Sequence, residues 1–336
     1  MTKLTLEQIG KLAGVSRATV SRVINNYPHI RPEIRDKVLN VIAETGYQPN
    51  LAARSLASNE SNIIGLVIPS IVNEVFTDPY YPRLTQGIAQ ACNENGYTLS
   101  LFLFHTSEEE KMAAKRIVGN SLLDGIIITA DILDDPIVPD LIAADIPFVQ
   151  IGRPQDPAKV SFADTDNLRG GELATIHLIK LGYRRIGQIA TVHNTAGIDR
   201  DLGYRRALKS NDLSVDEDLI TYGDFSRESG YHAMKEILSH QPDAVFVQSD
   251  TMALGAMQAI REAGLVVPND IAVVGFDDLP PALLAEPPLT TVHQPIQETG
   301  QYAVGLLLDI LHNGTQPPRN KILPVELVVR ASSGTE

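Results

Sequence analysis

The chain has 336 residues, enough for about two domains, and its 43% hydrophobic and 21% charged residues are typical of a folded globular protein rather than a disordered or fibrous one. The single cysteine, Cys92, excludes a disulfide framework and a cysteine-ligated zinc site, and no stretch approaches the ~18 apolar residues of a membrane span. The net charge of −13 is uneven, because the first 60 residues carry +3 and the other 276 carry −16. Only the basic beginning is therefore suited to a polyanionic partner.

Two short helices joined by a tight turn are predicted at the start of the chain. Thr5 begins a capping box, Thr-Leu-Glu-Gln, for a first helix over Leu6–Ala13. In the turn that follows, Gly14 tolerates a positive φ and Ser16 caps the next helix, which is expected over Arg17–Asn25. This arrangement is a helix-turn-helix.

The second helix has one apolar face and one polar face. Its residues Val20, Val23 and Ile24 share a side, which we expect to pack against Ile9 and Leu12 of the first helix. The opposite side carries Arg17, Ala18, Ser21 and Arg22.

A third helix is predicted from Pro32, which suits a first helical position, to Gly46, which suits a helix end. The exposed arginines, serine and small residue of the second helix suit the major groove of DNA. The alternative is a three-helix docking module in which Arg17 and Arg22 are only solvated.

The remainder of the chain predicts an α/β fold with two doubly wound parallel sheets, because apolar runs alternate with helical patterns after Asn62. Such sheets bind ligands at the carboxyl ends of their strands, so we expect a site in the cleft between two lobes. The predicted strands are 63–69, 98–105, 125–129 and 147–152, then 185–190, 218–222, 244–248 and 271–276. The predicted helices lie near 81–95, 108–120 and 137–144, then 167–181, 197–210, 227–240 and 251–263.

The two lobes are expected to be joined by several segments. Residues 287–292 are predicted to cross back to the first lobe before a helix over 294–311, and a final strand near 324–329 to return to the second lobe. Three divisions of the chain follow. They are a helix-turn-helix domain over 1–49, a hinge over 50–61, and a body over 62–336, with a first lobe of about 62–160 and 292–322 and a second of about 161–291 and 323–336.

Three separated segments resemble the LacI/GalR family of bacterial transcriptional regulators. Residues 14–25, GVSRATVSRVIN, are similar to that family's recognition segment, and residues 47–56, YQPNLAARSL, resemble its hinge segment at the expected distance. Residues 323–330, LPVELVVR, are similar to its usual terminus. The resemblance implies a helix-turn-helix head and two lobes like those of periplasmic binding proteins.

By this resemblance, Arg17 and Ala18 choose between operators, and Arg22 contacts a more common base pair. Arginine can make a bidentate contact to guanine, whereas Ala18 offers only a methyl group. Other polar residues of the head would hold the DNA backbone or help to place the reading helix. They are Thr5, Ser16, Thr19, Ser21 and Asn25, with Tyr27 also expected at a phosphate.

The hinge, AARSLA over 52–57, has helix propensity but too little length to be a stable helix in isolation. The resemblance implies that two such hinges of a dimer fold side by side on DNA, with Leu56 wedged into the minor groove. Asn50, Ala53 and Arg54 would also lie at the DNA. The alternative is that Leu56 packs on the body as a linker leucine.

The resemblance also assigns residues of the cleft to a small-molecule effector. Arg200 supplies a fork of donors, Asp277 accepts from hydroxyls or a ring N–H, and Phe225 stacks on a bound ring. Tyr80 and Tyr81 contribute from the first lobe. The same residues allow a structural interpretation, in which Arg200 pairs with Asp277, Phe225 belongs to the core, and the tyrosines lie in an interface.

Two departures from the family pattern predict a roomy site. Gly152 stands at or near a place where the family often has an aspartate, and Ser249 replaces a longer amide before Asp250. The run Ile151–Pro154 resembles regulators of maltose-type oligosaccharides. We therefore predict a di- or oligosaccharide effector, with a monosaccharide second and a purine third.

No hydrolase elbow, phosphate-binding loop, HExxH or GxGxxG motif is present, and the eight histidines lack metal-ligand spacing. We therefore expect no enzyme activity, cofactor or metal. The expected partners are double-stranded operator DNA, a saccharide and a second copy of the chain, since a two-fold dimer reads a pseudo-palindrome. The beginning lacks a secretory signal, so a cytoplasmic location is expected. A sugar-binding or glycan-processing protein without gene control is the alternative from another class.

Overall fold

The computed structural model describes residues 4–24, 27–47, 61–71, 76–106, 122–129, 137–191 and 194–334, with residues 108, 109, 112, 117, 119 and 133 between the longer segments. The chain divides into two compact units, residues 1–61 and residues 62–336. Of the predicted hinge, 50–61, only residue 61 lies within the described residues.

The described residues of the first unit form three helices, α1 (Leu6–Ala13), α2 (Arg17–Ile24) and α3 (Pro32–Thr45), as predicted. The capping box is present, since the backbone N–H of Gln8 donates to the Thr5 hydroxyl and the Thr5 N–H donates to the Gln8 side chain. Gly14 ends α1 with φ of 66°. The local sequence therefore fixes where the first turn begins.

A small core holds the three helices together. Ile9, Ala13, Val20 and Val38 are fully buried in it. The predicted contact of Leu12 is wrong, because its side chain is 59% exposed. Ala13 follows Ile9 by four residues and takes the inward place on α1, which turns Leu12 outward.

Two six-stranded sheets form the second unit. The strand order is β11-β5-β4-β3-β1-β2 in the first sheet and β12-β10-β9-β8-β6-β7 in the second. All pairs are parallel except β10 with β12. The first-sheet strands are β1 Ile63–Ile71, β2 Thr98–Phe104, β3 Gly125–Thr129, β4 Phe148–Ile151, β5 Phe162–Thr165 and β11 Asn320–Leu323. Those of the second are β6 Ile186–Ala190, β7 Ile220–Tyr222, β8 Ala244–Val247, β9 Ala272–Asp277, β10 Thr290–His293 and β12 Glu326–Val328.

Helices cover the sheets on both faces and bury the apolar strands. Strands β3 and β8 are buried along their whole length, as expected for central parallel strands. The predicted helix over 108–120 lies mostly outside the described residues. The helices whose bounds the structure describes in this unit are α4 Tyr80–Glu94, α5 Ile137–Ala143, α6 Asn167–Lys180, α7 Thr195–Ser210, α8 Arg227–Leu238, α9 Asp250–Glu262, α10 Pro280–Leu284 and α11 Ile296–Asn313.

Among the described strands, the chain crosses between the lobes three times, and two of these crossings differ from the prediction. The boundary expected after residue 160 is too early, because β5 still pairs with β4 and β11 in the first sheet. The crossing expected over 287–292 is also too early, because β10 pairs with β9 and β12 in the second sheet. The chain therefore crosses after Thr165, after His293 and after Leu323, and the last of these leads to the predicted final strand.

Within the part of the chain that the structure describes, none of the helices is both long and apolar enough to span a membrane.

Candidate functional site

The beginning of α2 is fixed by hydroxyl groups. The Thr19 backbone N–H donates to the Ser16 hydroxyl at 3.1 Å, and the two hydroxyl oxygens lie 2.9 Å apart. Ser16 therefore caps α2 as predicted. Arg17, Ala18 and Arg22 are exposed along this helix, while Thr19 and Ser21 are half-buried.

An aromatic side chain lies beside the exposed end of α2. The guanidinium carbon of Arg22 lies 5.7 Å from the centroid of the Tyr27 ring, within the range of a cation–π contact. The Arg35 guanidinium holds this turn by donating to the Tyr27 carbonyl at 2.8 Å. Neither Arg17 nor Arg22 forms an ion pair with another described residue. Their charges are therefore available to a phosphate or a base.

Five residues assigned to DNA from the sequence lie outside the described residues. They are Asn25, Asn50, Ala53, Arg54 and Leu56.

Arg200 lies at the centre of the second candidate site, on α7. Its Nε donates to Asn167 Oδ1 at 2.9 Å, and its Nη1 donates to the Gln248 carbonyl at 2.6 Å. Its guanidinium carbon is 3.6 Å from the centroid of the Phe276 ring. These contacts fix the orientation of the fork, and only 5% of the residue is exposed.

Asp277 lies at the carboxyl end of β9, next to this guanidinium. One of its carboxylate oxygens is 3.8 Å from Arg200 Nη1 and accepts a 2.5 Å hydrogen bond from Gln294 Nε2. The backbone of Asp277 has a φ of 114°, a value that residues other than glycine rarely adopt. Strain of this kind persists where neighbouring contacts over-determine a conformation, often at functional sites.

The carboxyl groups of Asp164, Asp250 and Asp277 lie near the Arg200 guanidinium, and that of Asp78 lies near Asp277. Burial raises the pKa of Asp277 to about 7 and that of Asp164 to about 6, although Arg200 acts in the opposite direction on both. Burial also raises the pKa of Asp78 and of Asp250. The cleft therefore contains more carboxyl groups than guanidinium groups. Some of these carboxyl groups stay protonated near neutral pH.

The other predicted effector residues have varied environments. Tyr80 and Tyr81, at the start of α4, are half-buried with ring centroids 5.4 Å apart, and Tyr80 influences the pKa of Arg200. Phe225 is half-buried against the core cluster around α8 and α9, with φ of 71°. Ser249 is buried, and its hydroxyl accepts from the Met252 N–H at 3.2 Å as the cap of α9. The structure brings Arg200, Asp277 and Tyr80 together and gives Ser249 a capping role.

Several residues that build this cleft were not predicted from the sequence. Asp164 accepts from the Asn167 amide at 3.0 Å, and Gln294 accepts from the Thr165 hydroxyl at 3.1 Å. Asp164 and Thr165 belong to β5, a four-residue strand, FADT, in which these two polar residues leave no continuous apolar run. Arg153, which follows Gly152 directly, was also not among the predicted effector residues.

The buried acid predicts an unusual dependence of stability on pH. Folded Asp277 keeps its proton up to about pH 7, whereas an unfolded aspartate releases it near pH 4. This group therefore favours folding most below about pH 4, and the contribution is lost as pH rises through about 7, by up to about 1.4 kcal/mol per pH unit.

Replacing Asp277 by asparagine should flatten this dependence. Urea unfolding at pH 5, 6, 7 and 8 measures it, with Asp218→Asn, at an exposed surface position, as the control. Curves for Asp277→Asn and the unmodified chain that stay parallel between pH 5 and 7 would contradict the assignment.

Among the described residues, no three His, Cys, Asp or Glu side chains are arranged so that they could hold a metal ion.

Both units of the chain are similar to known protein families. The family model described as bacterial regulatory proteins, lacI family, matches residues 5–50, and that of a periplasmic binding protein-like domain matches residues 175–333. The HTH-type transcriptional regulator CelR of Thermobifida fusca is 39% identical over 333 residues, which cover 98% of each chain.

Two solved structures are similar to this chain over nearly its whole length. A transcriptional regulator CelR–cellobiose complex matches with a TM-score of 0.79 and 38% identity, covering 98% of this chain and 99% of the other. A lac repressor dimer bound to operator and the anti-inducer ONPF matches with a TM-score of 0.86 and 30% identity, covering 99% and 100%.

Proposed function

Since the chain belongs to the LacI family of bacterial regulatory proteins, and is thus a sequence-specific DNA-binding transcriptional regulator, we propose that its effector is an uncharged di- or oligosaccharide. The observation that carries this proposal is the fixed guanidinium of Arg200 among buried carboxyl groups at the strand ends. Its relatives are transcriptional regulators rather than enzymes. We propose that it acts on DNA in the cytoplasm.

The exposed face of α2 is the proposed reader of bases. Arg17 and Arg22 would contact base edges and Ala18 would offer its methyl group, while Thr19, Ser21 and Asn25 would contact the DNA backbone. Thr5 and Ser16 contribute by fixing the ends of the two helices. The hinge residues Asn50, Ala53, Arg54 and Leu56 are proposed at the minor groove.

Charge in the cleft favours an uncharged ligand. Asp164, Asp250 and Asp277 lie near the Arg200 guanidinium and Asp78 lies near Asp277, so a phosphate or carboxylate group would come close to several buried carboxyl groups. Sugar hydroxyls suit this environment, because they donate to carboxylates and accept from a guanidinium. A sugar phosphate is therefore disfavoured.

Two observations support the proposed size of the ligand. One concerns the wall of the cleft, and the other is the similarity to a solved CelR structure. Gly152, with a φ of 95°, has no side chain, so no carboxylate projects from this position. The similar CelR structure is a complex with cellobiose, a disaccharide. Tyr80, Tyr81 and Phe225 are proposed to contact the sugar rings, and Ser249 to bound the site through its cap.

Regulation would follow from the position of the effector between two lobes. A saccharide that contacts both lobes favours one arrangement of them, and a tenfold change in operator occupancy needs only ~1.4 kcal/mol of differential affinity. We propose that a homodimer, as in the similar lac repressor structure, transmits this change through paired hinges to two copies of α2.

One experiment tests both halves of the proposal. Duplexes bound by the purified full-length chain are selected from a random pool, with and without cellobiose, and calorimetry then compares cellobiose, maltose, ribose, a purine and a phosphorylated disaccharide. We expect a pseudo-palindromic consensus and binding of an uncharged disaccharide. A purine or a sugar phosphate as the only ligand would refute the saccharide assignment and leave the DNA result standing.

A further inference from the structure

An ion pair joins the two lobes beside the cleft. Arg153 follows β4 in the first lobe, and Asp199 lies on α7 in the second. The Arg153 Nε and Nη2 donate to the two carboxylate oxygens of Asp199 at 2.8 and 2.6 Å. The side chains are 33% and 17% exposed, so the pair is partly shielded from water. Bidentate contacts of this kind are stronger than single ones and more specific in geometry.

The backbone of Arg153 is also held. Its N–H donates to Asp164 Oδ2 at 3.0 Å, within the first lobe. Its carbonyl accepts from the Thr195 hydroxyl at 2.6 Å, which gives a second bond to α7 in the other lobe. The guanidinium is therefore aimed at Asp199 by a fixed backbone. The hydrogen bond to Asp199 raises the pKa of Arg153, although burial acts against it, and the group stays charged at neutral pH.

This pair adjoins the proposed effector site. Asp199 directly precedes Arg200, and both Arg200 and Asp277 are only 5% exposed. A disaccharide cannot reach side chains that are so buried unless the lobes first separate. That separation must break the contact between Arg153 and Asp199, whereas the three covalent crossings remain intact.

We propose that Arg153 and Asp199 form a latch across the cleft that controls how fast the effector enters and leaves. The inference rests on the proposed function, because it takes the cleft around Arg200 as the effector site. The two residues act as positioning residues, through the arrangement of the lobes.

The latch has a kinetic signature. It stabilises the joined lobes equally with and without effector, so its removal increases opening in both states by the same factor. Association and dissociation then accelerate together, while the dissociation constant stays the same. A residue that touches the effector would instead change the dissociation constant, and a residue that only supports the fold would change the melting temperature alone.

The test uses Asp199→Asn, Arg153→Gln and the double variant, all in the full-length chain. Stopped-flow tyrosine fluorescence with cellobiose should show both rate constants raised about tenfold in each single variant, an effect expected for losing a charged hydrogen-bonded pair. The dissociation constant from calorimetry should stay within about twofold. The double variant should match the single ones, because both act through one contact.

Glu217→Gln is the matched control. Glu217 also pairs with an arginine through two hydrogen bonds, from Arg205 Nη1 and Nη2, but both residues lie in the second lobe. This variant should leave both rate constants unchanged. Rate constants that stay unchanged in Asp199→Asn, a dissociation constant that rises without faster association, or additive effects in the double variant would each overturn the latch.

Hydrogen exchange without ligand separates the latch from the identity of the effector. Backbone amides over 150–165 and 194–200 should exchange about tenfold faster in Asp199→Asn and at the original rate in Glu217→Gln, since exchange follows lobe opening. If cellobiose does not bind at all, the saccharide assignment fails and this measurement still decides on the latch. Equal exchange in Asp199→Asn and the unmodified chain would overturn it.

Discussion

Replacing Arg22 by alanine should abolish the preference of the full-length chain for its operator while leaving saccharide affinity unchanged. Arg22 is exposed on α2, forms no ion pair among the described residues, and lies against Tyr27, which limits its freedom before DNA is bound. A bidentate arginine contact to guanine discriminates by about 1–3 kcal/mol. A dimer uses two copies, so the ratio of specific to non-specific affinity should fall roughly 30-fold to 10⁴-fold.

The measurement is a titration of operator and scrambled duplexes at several salt concentrations. Lys11→Ala is the matched control, because it also removes one positive charge from the head, but from α1, where Lys11 pairs with Glu7. The control should weaken binding to both duplexes slightly and equally. Equal losses of operator preference in the two variants would contradict the assignment of Arg22 to base reading.

The head shows how far short-range chemistry determines a fold. The bounds of α1 and the beginning of α2 follow from local signals that the structure retains, namely the capping box at Thr5, the left-handed glycine Gly14 and the cap at Ser16. Gly10 carried no such signal. A Cβ at that position would lie 2.8 Å from the Val15 carbonyl oxygen, so glycine is required by contact with the turn, which only the folded chain reveals.

In the body, most strands were predictable, including the short strands β4, β7, β8 and β12, whereas β5, β10 and β11 were not. Strands such as β3 give continuous apolar runs, because helices cover both faces of a parallel sheet. Strands β5, β10 and β11 have four residues each and owe their places to pairing with strands distant in sequence. The two misplaced crossings both involve such strands.

The cleft was predictable only in part, for the same reason. Arg200 and Asp277 could be assigned through the family resemblance, and the structure brings them within 3.8 Å. Their supports, Asn167, Gln248 and Gln294, come from three separate segments and carry no common motif. The ordinary amide residues that orient a site become visible only when the topology places them side by side.

Replacing Arg200 by alanine should remove the response to saccharide without weakening operator binding in its absence. Charged hydrogen bonds contribute about 1.5–3 kcal/mol each, so losing two from a guanidinium should lower saccharide affinity roughly 10²-fold to 10⁴-fold. The substitution also leaves Asn167 Oδ1 and the Gln248 carbonyl without their donor, which should destabilise the body by about 1–3 kcal/mol for each acceptor.

Calorimetry with cellobiose, operator titration and thermal unfolding on the same samples separate these effects. Arg206→Ala is the control, since Arg206 lies on the same helix but is mainly exposed and pairs with Glu172. Arg200→Lys keeps a positive charge near Asp277 but lacks the planar fork, so it should fold better than Arg200→Ala and still lose most of its saccharide affinity. If Arg200→Ala binds cellobiose normally, the guanidinium serves only to neutralise Asp277. If Arg200→Lys binds normally, charge rather than the geometry of the fork selects the ligand.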